Sequence, residues 1–166
     1  LIGELFTAIS QQQVVELHYH KFNAPDEVLT ANVHPYLLKE YNRRWFLICA
    51  AETDGKILNF GLERINSVNP LPAHKYVEYN GDINEIFENI VGVTNYTDKE
   101  VLKILFWVSD VSKDYVTSKP LHDSQRYYRG DADKTYRTQY PMLHDGSFFS
   151  IECKENYELI RELTSY

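Results

Sequence analysis

The sequence predicts an α+β chain in two parts: a short helix leading into a small five-stranded β-barrel, then an incomplete ferredoxin-like layer in the order β-α-β-β-α. Three observations carry this expectation. Residues 14–68 hold successive apolar runs of period two separated by turn signals. Residues 83–166 mix helical and strand-like periods. Between them, Asn69-Pro70-Leu71-Pro72 sets two prolines in four residues, which opposes helix and ladder alike. Domains are therefore expected at 1–72 and 80–166.

The first element is a helix, because Ile2, Leu5, Phe6 and Ile9 fall at i, i+3, i+4 and i+7 and form one apolar face. A packed helix at the very start, without an initiator Met, is expected of a fragment of a longer polypeptide, although removal of leader or tag residues gives the same start. Val15, Leu17 and Tyr19 then alternate with Glu16, His18 and His20, a strand with one wet face. A turn follows at Asn23-Ala24-Pro25-Asp26. Val28 to Tyr41 reads as one long strand or two joined by a bend at Pro35, since proline in a sheet marks an edge or bulge. Asn42 is the next turn, Arg43 to Ala51 a buried strand, Thr53-Asp54-Gly55 a hairpin turn, Lys56 to Leu62 its return, and Arg64 to Val68 a short closing strand.

In the second part, Ile83, Ile86, Phe87 and Ile90 predict an amphipathic helix ending at Gly92. Val101 to Val108 is a strand, and Ser109 is placed to cap a helix running to Ser118. Lys134 to Leu143 and Ser147 to Lys154 read as a hairpin around His144-Asp145-Gly146, and Asn156 caps a last helix with Leu159, Ile160 and Leu163 on one side. A ferredoxin-like layer calls for one more strand after Tyr166. No internal repeat or low-complexity segment is present.

Lys and Arg total 17 against 24 Asp and Glu, a net charge of −7. The chain as a whole repels phosphate backbones, so any nucleic-acid contact must be local. Cys49 and Cys153 lie far apart inside apolar runs and lack zinc-site spacing, which reads as buried free thiols in a reducing cytoplasm. No apolar run is long enough to span a bilayer and the first residues lack a basic signal-peptide start, so a cytoplasmic location is expected.

No Gly-x-Ser-x-Gly elbow, phosphate-cradling glycine loop or His-Glu-x-x-His helix appears, so neither an enzyme nor a cofactor is expected. His18, His20 and His34 have metal-like strand spacing, which leaves a metal-dependent hydrolase as a remote reading and a solvated strand face as the plain one. His122 and His144 read as loop-ordering residues. Tyr127-Tyr128-Arg129, with Arg126 and Arg137, reads either as an exposed charged loop or as a surface for nucleic acid or a second protomer.

The first half resembles the WYL domain of bacterial transcriptional regulators. Trp45-Phe46-Leu47 stands for the Trp-Tyr-Leu strand, flanked by Tyr19, by Pro35 with Leu37 and Leu38, by Ala50, and by the closing Glu63-Arg64-Ile65. Pro120-Leu121-His122-Asp123-Ser124-Gln125 resembles a recurring segment of the extension that often follows that domain. The resemblance implies an Sm-like or SH3-like barrel followed by a ferredoxin-like module, with a winged helix-turn-helix upstream of Leu1. It also implies a ligand face at Tyr19, His34, Arg44, Trp45, Phe46 and Arg64 that takes nucleotide or oligonucleotide ligands.

This chain departs from the pattern at Ala31, Leu58 and Gly61, where basic residues are frequent, and at Phe46, which lacks the tyrosine hydroxyl. A less cationic face favours a small anionic or nucleotide-like effector over a long strand. Arg64 has two readings, a bidentate clamp on an anion or a salt bridge to Glu52 or Glu63. Trp45 and Phe46 point to opposite faces, so at most one of them stacks on a ligand and the other packs in the core. The implied role is effector sensing and homodimerisation within a transcriptional regulator that contacts DNA through its upstream domain. The alternative is a purely structural dimerisation module.

Overall fold

In the computed structural model, which describes residues 1–166, the chain divides into two units, Leu1–Asn84 and Glu85–Tyr166. Each is built on an antiparallel sheet. No helix is long and apolar enough to cross a membrane.

The first unit opens with helix α1 (Ile2–Ser10) and continues through strands β1 (Val15–Lys21), β2 (Ala24–Tyr41), β3 (Arg44–Ala51) and β4 (Ile57–Gly61). A 3-10 turn at Leu62–Arg64 leads into β5 (Ile65–Pro70). The strand order is β4-β3-β2-β1-β5. Alternation sends Val15 and Leu17 of β1, and Leu47 and Cys49 of β3, to one face, where they meet Val33, Phe60, Ile65 and Val68.

Helix α1 covers that face with Leu5, Ala8 and the partly buried Ile9, so two of the four residues of the predicted stripe, Leu5 and Ile9, meet the core. Ile2 and Phe6 are exposed, at 46% and 65%. The small Ala8 one turn after Leu5 lets the helix backbone approach the sheet, and this rotates Phe6 out of the contact.

The controlling element is β2. Eighteen residues laid flat would span about 60 Å at roughly 3.3 Å per residue. Yet the guanidinium carbon of Arg44, just past its end, lies 5.5 Å from the ring centroid of Phe22, just before its start. The strand therefore curls back on itself. One bend is a bulge: Pro35 pairs with Cys49 and Leu37 with Ile48, leaving Tyr36 as the extra residue. The sequence left open one strand or two, and the structure gives a single strand bent at Pro35. The other irregularity is at the β1–β2 turn, where the register shifts between Tyr19 and Lys21.

The β2–β3 turn is a two-residue loop, with Asn42 and Arg43 both left-handed (φ 49° and 62°) and Tyr41 paired to Arg44. Such loops match the right-handed twist of the strands they join. Strand β3 accordingly begins one residue later than predicted.

The predicted helix from Ile83 to Gly92 is only a 3-10 turn, Ile83–Phe87, which spans the boundary between the units. Two backbone acceptors that a longer helix needs are used elsewhere: the Ile86 carbonyl accepts from Asn95 Nδ2 and that of Glu88 meets His122 Nε2.

Strand β6 (Leu102–Ser109), helix α2 (Asp110–Ser118), strand β7 (Arg126–Tyr127), helix α3 (Gly130–Gln139), strand β8 (Gly146–Cys153) and helix α4 (Tyr157–Thr164) follow. The order β6-β8-β7 makes β8 antiparallel to both neighbours, so β6 and β7 run parallel and α2 is the crossover between them. The predicted strand over Lys134–Leu143 is instead α3 and the loop after it. Tyr136 and Tyr140, at i and i+4, both set their rings near Phe148, at 5.6 and 6.2 Å between centroids, and that spacing suits a helix. The hairpin at His144-Asp145-Gly146 does not form: its expected first strand is α3, and β8 pairs with β6 on one edge and β7 on the other.

Ser109 occupies the cap position of α2 but its side chain makes no capping bond. Asn156 does cap α4. Its Oδ1 accepts from Leu159 N at 2.8 Å while Nδ2 donates to the carbonyls of Val91 and Thr94 at 2.8 and 2.9 Å, all from a side chain 2% exposed. Asn156→Ala removes the cap and strands two buried carbonyls. It should destabilise the second unit by about 2–4 kcal/mol in urea unfolding. Asn156→Asp, which keeps the cap acceptor but sets a buried carboxylate oxygen against two carbonyl oxygens, should destabilise at least as much as Ala.

Candidate functional site: a guanidinium and aromatic cluster

Curling of β2 brings three chain segments together at one edge of the first unit. The β1–β2 turn presents Phe22, 66% exposed. The start of β3 contributes Arg44 and, two residues on and so on the same face, Phe46. The 3-10 turn after β4 contributes Glu63 and Arg64. The Arg44 guanidinium carbon stands 5.3 Å from the Phe46 ring centroid and 5.5 Å from that of Phe22, while that of Arg64 stands 5.0 Å from the Phe22 centroid. Phe22 is thus shared between two cations, an arrangement each ring quadrupole favours.

Glu63 accepts a hydrogen bond from Arg44 in an ion pair whose side chains are both about two-fifths exposed. Gly61, paired with Phe46, makes this contact feasible: a Cβ there would meet the Glu63 carboxylate at 2.7 Å. Partial burial alone would raise the Glu63 carboxyl. The Arg44 hydrogen bond, its own backbone amide and the charges of Arg44 and Arg64 outweigh that and hold it below the ordinary carboxylate range. Arg64 has its Nε buried with no hydrogen-bond partner. A buried donor without a partner is a local cost to the fold, and the Arg64 side chain also makes no ion pair, unlike that of Arg44.

Of the six ligand-face residues named from the sequence, three meet here: Arg44, Phe46 and Arg64. Tyr19 instead packs edge-on against Phe60 at 4.9 Å, as part of the core. Trp45, opposite Glu40, is 41% exposed and lies on the other face of β3.

His34 is 5% exposed and lines a different feature, a cavity of about 440 Å³ with Tyr36, Glu52, Glu78 and Tyr79 on its walls. The segment after β5 is strapped there. Val77 N donates to His34 Nδ1 at 3.2 Å, Tyr36 Oη to the Val77 carbonyl at 2.9 Å, and Tyr76 Oη to the Pro35 carbonyl at 2.8 Å. Burial pushes the Tyr76 phenol up to about 12.

The proposed salt bridge from Arg64 to Glu52 or Glu63 is not made, because Arg44 takes Glu63 and His74 takes Glu52. Phe22 carries no motif and was missed. Its only local signal is an apolar residue at a turn, and its partners come from the far end of β2. The three strand histidines go separate ways, His18 to Glu16, His20 to Asn66 and His34 to Val77. No group of three metal-ligating side chains exists.

In the second unit the tyrosine and arginine residues are largely engaged. Tyr127 stacks on Phe149 at 4.9 Å beneath Arg129 and Lys113, Tyr128 Oη bonds Ser150, and Arg137 joins Asp133 to the Gly146 carbonyl. The Pro120–Gln125 segment orders its own loop. His122 holds Ser124 and the Glu88 carbonyl, and Gln125 bonds Leu121 N and the Val116 carbonyl.

Comparison with known proteins agrees with the first unit's motif. The WYL domain model matches residues 1–70. No curated protein matches the chain. Among solved structures the chain is similar to Proteasome accessory factor B/C (PafBC) of Arthrobacter aurescens, at 17% identity and a TM-score of 0.42, over 93% of this chain and 20% of that one. The chain thus spans a small part of that protein's length.

The Glu63 carboxyl contributes stability above its unfolded value of 4.5, and that contribution is lost as pH falls through the lower folded value. Unfolding free energy of the parent should therefore decline below pH 4.5. In Glu63→Gln the decline should be shallower. Parallel pH profiles would show that the pair with Arg44 adds nothing.

Proposed function

We propose that residues 1–70, which match the WYL domain model, read an anionic or nucleotide-like effector at the edge formed by Phe22, Arg44, Phe46 and Arg64. The observation that carries this reading is the pair of guanidinium groups around one exposed ring, with the Nε of Arg64 unsatisfied. Two arginines supply the charge-assisted, planar bonds that suit phosphate or carboxylate, and an exposed phenyl ring supplies a stacking surface. In a chain of net charge −7, such a patch is a local attraction within a repelling field.

In this reading the first unit is an Sm-like barrel. The second is a ferredoxin-like module in which β6, α2 and β7 form a parallel crossover split by β8. Together they form the sensing and homodimerisation region of a cytoplasmic transcriptional regulator whose DNA-binding domain, a winged helix-turn-helix, lies upstream. The effector acts by linkage: it shifts the paired DNA-binding domains only as far as it binds one dimer arrangement better than another. The second reading, a structural dimerisation module without ligand, draws on the exposed Ile2 and Phe6 of α1.

Arg64→Ala separates the two. Its side chain makes no ion pair to lose, so the melting temperature should move by no more than about 2 °C. Affinity for a nucleoside monophosphate should fall at least about tenfold in calorimetry, as loss of a charge-assisted bond predicts. Equal affinity in parent and variant would favour the structural module.

A further inference from the structure

We infer that Glu63 is a resident competitor for the anion site and determines which anions enter it; this rests on the effector reading above. Its carboxylate already occupies Arg44, as an anionic ligand would, and the position is permitted by a glycine at 61. The ion pair is half open to solvent, and exposed pairs of this kind are weak enough to be displaced. Arg64 is different. Its Nε has no partner, it makes no ion pair, and its guanidinium carbon stands 5.0 Å from the Phe22 ring centroid.

An incoming anion thus meets one cation that has no ion pair and one that is already neutralised. A monoanionic carboxylate reaching Arg44 would only replace what Glu63 supplies and would repel it as well. A phosphate with two or more charges gains on both counts. It binds Arg64 and Arg44 together, both within 5.5 Å of the same ring centroid, and releases Glu63 to water. Glu63 therefore selects polyvalent phosphate groups over carboxylates. The charge of Arg64 acts on Glu63 as well as that of Arg44, so removing the carboxylate strengthens the field of both cations.

Calorimetry at low salt with inorganic pyrophosphate and with acetate, on the parent, Glu63→Gln, Arg64→Ala and Glu155→Gln, tests this. Glu155→Gln removes the same charge from an exposed position in the other unit. The parent should bind pyrophosphate and not acetate. Glu63→Gln should bind pyrophosphate about fivefold or more tightly and bring acetate into the measurable range, while Glu155→Gln stays within about twofold of the parent. Unchanged or weaker binding in Glu63→Gln, with binding lost in Arg64→Ala, overturns the competitor role and leaves the anion site standing; Glu63 then positions Arg44. Equal gains in Glu63→Gln and Glu155→Gln also overturn it, since net charge alone would explain them. No binding of either anion by parent or Glu63→Gln overturns the competitor and the anion site together.

Discussion

The first unit depends on the curl of β2. A strand that long serves two hairpins at once, pairing with β1 along one edge and β3 along the other, and its two ends meet only if it bends. Proline supplies the bend at little cost. Pro35 has no amide to give to the ladder, the bulge leaves Tyr36 unpaired in register, and the Tyr36 hydroxyl is used to hold the Val77 carbonyl. The same bend thus fixes the strap over the outer face and gathers the cationic edge at the far side.

That edge combines groups with opposing demands. Two guanidinium groups beside one ring repel each other, and the arrangement holds because Glu63 neutralises one of them and Phe22 offers its π-face to both. The ring is exposed where burial would stabilise the fold more, and an arginine Nε is buried where a partner would stabilise it more. Local departures of this kind, placed together, are the observation on which the effector reading rests. His34 belongs to a second setting, tied to Val77 beside Glu52 and Glu78, where the surrounding charges are negative.

Elements with a strong local period were legible in the sequence. Val15, Leu17 and Tyr19 gave β1, and the run from Arg44 to Ala51 gave β3. Asn156 announced α4 because a cap needs only a side-chain oxygen three residues before an amide. Segments whose fate is decided by distant partners were not legible. The stretch from Ile83 to Ile90 has a helical period, yet its Ile86 and Glu88 carbonyls are claimed by Asn95 and His122. Thr135, Tyr136, Thr138 and Tyr140 favour a strand by propensity, but Phe148 selects the helix. The candidate site was half legible. Arg44, Phe46 and Arg64 stand in recognisable motifs, whereas Phe22 joins them only through the curl, and no local pattern records a contact made across the length of β2.

The central claim is that this curl creates an anion-reading edge from Phe22, Arg44 and Arg64. Its most direct test is a two-dimensional NMR titration of the labelled chain with a nucleoside monophosphate, following the guanidinium Nε–H signals of both arginines and the indole N–H of Trp45. The account predicts that Arg44 and Arg64 shift together along one saturable curve, with cross-peaks from Phe22 ring protons to both side chains, while Trp45 stays still. Shifts centred on Trp45 or on the cavity beside His34, with the two arginines unmoved, would contradict it.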